Sequence, residues 1–383
     1  MKCIINAVAA KNMGGGFQVA INFIIRTLTE PFEIEWYYLL AEPMAKVLES
    51  DLYLHKIPSD RVFVFPSQPD FKNTYFRVSK QIQDIEKHVE ADVMYTIIAP
   101  SFIVTSTTEV MRFTYPWMTN PNKYAKRLLT KKERIRMRIH DWIVLQFLKR
   151  CSYFITQTET AKDGIINLTG QTEDHVKVIA NTLPSSFLSE ERINNHTSYT
   201  DIACIGGPSK HKNFEIIPNV IFSLINNFGH NDVRFHVTIP EDTPIWASIK
   251  SKARELNVLN HIINYGKVCQ KELANIYRNC SISYLPSLLE VFSATPLESM
   301  YFGLYIVATD LSFNRDVMAD SALYCDPEDY NDAAEKIHQL IAYDEIRNSL
   351  NEAMIEQLKR YNDFDSYYRN TIDYLRLVVQ NEN

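Results

Sequence analysis

The chain has 383 residues and a net charge of −6, and its length predicts two domains and excludes a single small one. Apolar residues make up 46% and charged residues 22%, which excludes a disordered or fibrous chain. No uncharged apolar run reaches the roughly 18 residues that a membrane-spanning helix needs. Six cysteines lack any Cys-x-x-Cys pair, so we expect neither a zinc site nor a disulfide framework, and we expect a reducing cytoplasm.

In the first half of the chain, short β-rich runs alternate with longer helical patterns. This alternation predicts βα units around a parallel sheet, in a first domain that covers residues 1–183. The predicted strands are Cys3–Ala9, Glu33–Leu40, Arg61–Phe65, Asp92–Ala99, Val110–Phe113, Ser152–Gln157 and Val176–Ile179.

The polar stretch that follows interrupts this rhythm and predicts a linker over residues 184–200. A second α/β domain is predicted over residues 201–360, and a final helical segment over 361–383. The strands predicted in the second domain are Asp201–Ile205, Val233–Thr238, His261–Tyr265, Ser281–Tyr284 and Tyr305–Ala308.

Half of the ten glycines lie in two clusters, at 14–16 and 206–207, each between the first strand of a domain and a helical pattern. Such a turn lets backbone N–H groups approach an anion at a helix N-terminus. Lys210, His211 and Lys212 add positive charge after the second turn. A purely structural role as tight βα turns has equal weight for each cluster taken alone.

The segment from Tyr284 to Gly303 carries two carboxylates, Glu290 and Glu298, separated by seven residues at a strand-to-helix passage. Pro296 suits an early helical position. The backbone N–H groups just before it suit a phosphate, and Glu298 can accept two hydrogen bonds from a diol such as ribose.

This Glu-x7-Glu segment resembles the retaining glycosyltransferases of family 4, of the type that builds bacterial cell-surface polysaccharides. The turn from Ile205 to Asn213 is similar to the family's turn that ends in Lys-Asn. The resemblance implies the GT-B fold, an α/β architecture in which two Rossmann-like domains face each other across a cleft. It also implies that the C-terminal helix crosses back to pack on the N-terminal domain.

Carried over residue by residue, the resemblance makes Glu290 and Lys212 the catalytic residues, with Glu290 on the donor sugar and Lys212 on the donor diphosphate. Glu298 would hold the ribose. The other implied donor-binding residues are Gly15, Gly16, Gly207, Lys210, Val268, Phe292, Ser293, Ala294 and Thr295.

The sequence departs from the family pattern at several positions. Gly207 stands where an Arg commonly shares the diphosphate charge, and Val291 and Ser293 replace two glycines. No His of the kind that many members place near the cleft occurs around residues 115–118. These departures put either the acceptor geometry or the activity in question.

The resemblance implies no cofactor beyond the nucleotide-sugar co-substrate, and we assign no metal. Asp363-Phe364-Asp365 imitates an Asp-x-Asp metal motif, but its place before the terminal helix favours a capping role.

Ten basic and two acidic residues lie between Lys123 and Arg150, against the sign of the whole chain. One interpretation is a core-packed helix whose apolar face contains Ile135, Ile139, Trp142, Ile143 and Phe147. The other, given equal weight, is a basic surface that meets anionic lipid or a lipid-diphosphate-linked acceptor. Nucleic acid is disfavoured, because no aromatic-interleaved motif accompanies the charge.

The predicted function is therefore hexosyl transfer from a nucleotide sugar to a glycan or lipid-linked acceptor, in the cytoplasm or at the inner face of the membrane. The alternatives are a GT-B epimerase, a sugar phosphorylase, disfavoured for want of a pyridoxal lysine, and a catalytically silent subunit that binds a partner.

Overall fold

A computed structural model describes residues 1–10, 15–30, 32–66, 75–183, 187, 200–361 and 364–382. The chain divides into two compact units. The first contains residues 1–119, 131–181 and 365–383, and the second contains residues 120–130 and 182–364. The predicted boundary at 183 placed 120–130 in the first domain, whereas the structure groups this segment with the second unit. Most of the predicted linker lies outside the described residues.

The first unit is built on a seven-stranded parallel sheet in the order β3-β2-β1-β4-β5-β6-β7. Its central strands are almost fully buried, as expected of a parallel sheet that is covered on both faces. The strands are β1 (Lys2–Ala7), β2 (Glu35–Ala41), β3 (Val62–Phe65), β4 (Val93–Ala99), β5 (Glu109–Phe113), β6 (Tyr153–Thr156) and β7 (Val176–Val178).

Helices follow these strands, and their ends are set by local chemistry. Helix α7, for example, begins after the N-cap Thr158, whose hydroxyl accepts the Ala161 N–H, and ends at Gly170 with φ of +77°. The helices from the first half of the chain are α1 (Gly15–Thr29), α2 (Glu42–Ser50), α3 (Tyr75–Val89), α4 (Pro116–Thr119), α5 (Lys123–Arg127), α6 (Lys131–Leu148) and α7 (Glu159–Thr169).

The second unit has a six-stranded parallel sheet in the order β10-β9-β8-β11-β12-β13. Twelve of these thirteen strands lie within two residues of their predicted bounds, and the sequence patterns missed only β13. The strands are β8 (Thr200–Cys204), β9 (Val233–Val237), β10 (Ile262–Asn264), β11 (Ile282–Leu285), β12 (Tyr305–Thr309) and β13 (Ala322–Cys325).

The remaining helices cover this sheet, apart from the last, which clusters with the first unit. They are α8 (Ile217–Phe228), α9 (Pro244–Glu255), α10 (Gln270–Arg278), α11 (Thr295–Tyr301), α12 (Ser312–Met318), α13 (Tyr330–Ala342), α14 (Asp344–Lys359) and α15 (Phe364–Glu382). Short 3₁₀ turns occupy Leu54–Lys56, Ser59–Arg61, Glu173–His175, Lys210–Lys212, Phe214–Ile216 and Leu259–His261.

The order of each sheet reverses once, between β1 and β4 in the first unit and between β8 and β11 in the second. In open α/β sheets, the loops at the carboxyl ends of the strands separate at such a switch point and leave a crevice for a ligand. In the second unit this point brings the turn after β8 beside the loop after β11. The predicted fold class, two Rossmann-like α/β domains with a terminal helix on the first, is confirmed.

One predicted packing face is wrong in part. The core of the first unit takes Val144, Phe147 and Leu148 of α6, but Ile135, Ile139 and Trp142 are exposed. The predicted face assumed a single apolar side, whereas this helix has apolar residues on two sides. No helix among the described residues is long and apolar enough to cross a membrane.

Candidate active site

Lys212 is positioned by the turn after β8, the first strand of the second unit. Lys210–Lys212 form a 3₁₀ turn in which the Lys212 N–H donates to the Ser209 carbonyl at 2.9 Å. A Cβ atom on Gly206 would stand 3.0 Å from Phe214 Cζ, so a larger residue at this position would require the buried ring to shift. Gly207 has open space around its Cα, and Lys210 is exposed beside it.

Glu290 lies in the loop after β11, and its carboxylate meets Lys212. Lys212 Nζ is 2.6 Å from Glu290 Oε1, and the two side chains are 17% and 14% exposed. A backbone hydrogen bond from Leu288 N–H to the His211 carbonyl, at 2.7 Å, ties the two loops together. The ion pair is therefore held by the main chain on both sides and is only partly shielded from solvent.

Glu298 is a buried carboxylate on α11, with 8% of its surface exposed. The Tyr277 hydroxyl donates to Glu298 Oε2 at 2.7 Å. Burial raises the pKa of Glu298 above its usual range, while the Tyr277 hydrogen bond and the positive charge of Lys212 lower it in part. Glu298 is therefore a buried carboxylate of the site and not a surface residue. The charge of Lys212 acts on Glu298 as well as pairing with Glu290.

Between the two carboxylates the chain presents unused backbone donors. In the part of the chain that the structure describes, the N–H groups of Phe292, Ser293 and Ala294 donate to no protein acceptor. Ser293 Oγ is 3.3 Å from Oγ1 of Thr295, the first residue of α11, and Pro296 follows as the second. These groups can donate to an anion that lies beside Lys212.

A small pocket in the second unit joins these elements, and its lining includes two polar residues, Ser287 and Asn314, that the sequence analysis did not single out. Thr309 Oγ1 donates to the Ser287 carbonyl at 2.6 Å, and Asn314 Nδ2 donates to both the carbonyl and Oγ1 of Thr309 at 2.9 Å. Thr309 ends β12 and Asn314 lies on α12, so only the folded sheet brings them together. The pocket is lined by Ile205, Lys212, Phe214, Leu285, Pro286, Ser287, Glu290, Ser293, Thr295, Pro296 and Asn314.

Two asparagines of the 120–130 segment hold the Glu290 loop, and sequence reasoning missed both. Asn120 Nδ2 donates to the Glu290 carbonyl at 2.7 Å, and Asn122 Nδ2 donates to the Leu288 carbonyl at 2.8 Å. Asn122 Oδ1 also caps α5 by accepting the Ala125 N–H. The only sequence signal was the polar run Thr119-Asn-Pro-Asn122, which gives no indication of a partner about 170 residues away.

Three of the predicted donor-binding residues make none of the contacts described above. Val268 is half-buried in the loop after β10, which begins at Gly266 with φ of +68°. The Asn264 side chain ties that loop to β9 by accepting the N–H groups of Gly266 and Ile239, both at 3.1 Å. Gly15 and Gly16 begin α1 in the first unit and are exposed; Gly14 lies outside the described residues.

The described residues contain no group of three or more His, Cys, Asp or Glu side chains arranged to hold a metal ion. Of the Asp-x-Asp pair, Asp365 forms an ion pair with Arg26 at 2.8 Å in the first unit. Asp363 lies outside the described residues.

The site defined by these contacts has one lysine, two glutamates and free main-chain donors at the switch point of a parallel sheet. This arrangement suits an anionic ligand with hydroxyl groups. The chain has the GT-B fold of glycosyltransferase structures. A glycosyltransferase from Rickettsia africae superimposes with a TM-score of 0.72 at 14% identity and covers 98% of both chains. Anabaena HepE, solved with UDP and glucose, has a TM-score of 0.70 at 14% identity, over 98% of this chain and 99% of its own.

Residues 194–357, which fall within the second unit, match the family described as Glycosyl transferases group 1. The O-antigen chain mannosyltransferase RfbU of Salmonella typhimurium is 24% identical over 198 residues, 50% of this chain. An uncharacterised glycosyltransferase of Methanocaldococcus jannaschii is 24% identical over 227 residues, 58% of this chain. The matches span 53% and 62% of the lengths of these two relatives.

Proposed function

We propose that this protein is a retaining glycosyltransferase that moves a hexosyl group from a nucleoside-diphosphate sugar to a glycan or lipid-linked acceptor in surface polysaccharide biosynthesis. The observation that carries the proposal is the contact of Lys212 Nζ with Glu290 Oε1 at 2.6 Å, beside the buried Glu298. The names of similar proteins, an O-antigen chain mannosyltransferase and a HepE complex with UDP and glucose, support the same class.

The diphosphate of the donor would be neutralised by Lys212 and by the free N–H groups of residues 292–294. Glu290 pairs with Lys212 in the structure, so donor binding would require Lys212 to exchange a carboxylate partner for a phosphate partner. Glu290 is then released toward the sugar, where it can stabilise positive charge at the anomeric carbon. Glu298, held at one oxygen by Tyr277, accepts hydrogen bonds from the ribose hydroxyls.

In the transfer step, the bond from the anomeric carbon to its phosphate oxygen breaks, and the electron pair leaves with the diphosphate. The acceptor oxygen bonds to the anomeric carbon on the same face and gives its proton to an oxygen of the departing diphosphate. No protein base is needed, so this chain contributes positioning and electrostatic stabilisation. We propose that the reaction needs no metal. Six free cysteines support a site of action in the cytoplasm.

Substitution of the two carboxylates should have different effects on nucleotide binding and on turnover. Glu298→Ala removes charged hydrogen bonds to the nucleotide and should weaken the binding of UDP or GDP by about 1.5–3 kcal/mol. Glu290→Ala releases Lys212 and should leave nucleoside diphosphate affinity equal or higher, while it lowers turnover by about 100-fold or more. Calorimetric titration without sugar measures the first effect, and product formation from the sugar nucleotide measures the second.

Glu215→Ala is the matched control, because Glu215 is an exposed carboxylate three residues after Lys212. It should change neither quantity. Full nucleotide affinity in a folded Glu298→Ala protein would overturn the assignment. Nucleotide binding without donor hydrolysis or transfer in the wild-type protein would identify a silent binding subunit, and an inverted anomeric configuration in the product would exclude the retaining mechanism.

A further inference from the structure

Helix α6 of the first unit exposes a stripe of large apolar side chains. Ile135, Ile139 and Trp142 are 60%, 59% and 65% exposed, and only Leu52 among the described large apolar side chains exceeds them. Single exposed apolar residues are normal in soluble proteins, but three on one helix are a contiguous patch. We refer to these three residues as the α6 stripe.

The stripe points away from the unit that carries it. Its residues stand at positions i, i+4 and i+7, which places them within an arc of about 60° on the helix. Val144 and Leu148, on the opposite side, are fully buried in a cluster with Phe113 and Phe154. The helix is therefore anchored by one apolar face and presents a second one to solvent, so the stripe does not serve the core of this unit.

Cations border the stripe along its whole length. At about 100° per residue, Lys131 and Arg138 lie on one side of it, and Lys132 and Arg136 lie on the other. All four are exposed, and in the described part of the chain none forms an ion pair. This concentration of positive charge stands out on a chain whose net charge is −6.

From this arrangement we infer that the α6 stripe docks the protein on the surface of an anionic lipid bilayer. Ile135, Ile139 and Trp142 would enter the boundary between headgroups and acyl chains, and the flanking lysines and arginines would contact lipid phosphates. Trp is suited to this boundary because its ring is apolar and its indole N–H can donate to a polar group.

The charge pattern favours lipid over the other occupants of such a face. A second copy of the chain, related by a two-fold axis, would place these cations against one another, and like charges in contact oppose association. Nucleic acid would satisfy the cations but would leave two aliphatic side chains and an indole unburied against a phosphate backbone. The proposal is independent of glycosyl transfer, because docking needs no donor or acceptor.

Vesicle binding without any substrate tests the docking. The wild-type protein should co-sediment with phosphatidylcholine vesicles that contain phosphatidylglycerol, and added salt should weaken its binding. Trp142 should move to an apolar environment, so the emission should shift to shorter wavelength; the shift should be lost in Trp142→Phe. Reversal of Lys131, Lys132 and Arg138 to Glu should lower vesicle affinity by about 100-fold or more. Ile135→Gln with Ile139→Gln should lower it by about 10-fold or more.

The matched control reverses Arg77, Lys80 and Lys87, three exposed cations on α3 of the same unit, and makes the same change in net charge. It should retain most of the vesicle binding, and unchanged melting curves check that all variants fold. If the α3 and α6 variants lost the same vesicle affinity, net charge alone would explain the loss, and the proposal would be overturned. Binding unaffected by the stripe variants would also overturn it, as would a dimer in light scattering that Ile135→Gln and Ile139→Gln dissociate.

Discussion

At the scale of single residues, the first unit contains a carboxyl group whose protonation is coupled to folding. Glu109 begins β5 and accepts a hydrogen bond from Thr96 Oγ1, which itself accepts one from Asn6 Nδ2 at 3.0 Å. Burial raises the pKa of Glu109 to about 7, and the negative charge of Glu86 adds to this rise. The folded protein therefore holds a proton on Glu109 at pH values where the unfolded chain has lost it.

The sign of the resulting pH dependence follows from proton counting. Between the pKa of about 4.5 in the unfolded chain and the pKa of about 7 in the folded protein, the native state binds the extra proton, so stability falls as the pH rises through this window. We expect Glu109→Gln to remove this slope and to stabilise the protein at pH 8 by roughly 3 kcal/mol. Urea unfolding of the wild-type and Glu109→Gln proteins between pH 5 and about pH 8 measures the free energy of unfolding against pH. Curves with the same slope for the two proteins would contradict the prediction.

At the scale of secondary-structure elements, the 120–130 segment braces the candidate site. Asn120 is 7% exposed, and its amide group is the donor to the Glu290 carbonyl. Asn120→Ala should leave that carbonyl without a protein donor and cost about 1–3 kcal/mol of folding stability. It should also speed hydrogen exchange in residues 286–292, because the loop that carries Glu290 loses one of its two hydrogen bonds from the 120–130 segment.

An exposed asparagine supplies the control for this prediction. Asn226 Nδ2 donates to the Phe222 carbonyl at 2.8 Å on the solvent side of α8. Asn226→Ala should cost about 0.5 kcal/mol or less, since water replaces the lost donor. Equal losses of stability in the two variants, with unchanged exchange in residues 286–292, would show that the brace does not hold the loop.

Part of the fold and part of the candidate site could be predicted from the sequence. The alternation of β-rich and helical patterns was sufficient to predict twelve of the thirteen strands, because a buried strand can be recognised from the apolar residues of its own sequence. The pair Lys212 and Glu290 could be predicted to meet only through the resemblance. Tyr277, Asn120 and Thr309 were missed because their roles depend on partners that the sheet order brings together. The exposure of Ile135 could not be predicted either, because the residue type does not show whether an apolar side chain of a helix faces the core or the solvent.

At the scale of the whole molecule, the C-terminal helix is a structural part of the first unit although it follows the second unit in sequence. Tyr368 Oη donates to the Glu30 carbonyl at 2.6 Å, Tyr374 Oη to the His175 carbonyl at 2.9 Å, and Arg376 to the Phe32 carbonyl at 2.7 Å. The helix also buries a row of apolar side chains, each at most 4% exposed: Tyr367, Tyr368, Ile372, Tyr374, Leu375 and Val378.

Removal of this helix should therefore unfold the first unit. Six buried side chains at about 1.5–3 kcal/mol each amount to roughly 9–18 kcal/mol, which matches or exceeds the 5–15 kcal/mol typical of a whole domain. A chain that ends at Tyr361 should lose the calorimetric transition of the first unit and become protease-sensitive in residues 1–119 and 131–181. The second unit keeps its own six-stranded sheet, so a fragment starting near residue 200 should resist digestion. A chain that ends at Gln380 loses the exposed Asn381 and Glu382 of α15, together with Asn383, and with them the hydrogen bond from Tyr153 Oη to Glu382. Since no buried apolar side chain is removed from the described part of the helix, this chain should melt like the full-length protein. If the chain ending at Tyr361 kept both transitions, the first unit would be stable without α15, and the helix would be an accessory rather than part of its core.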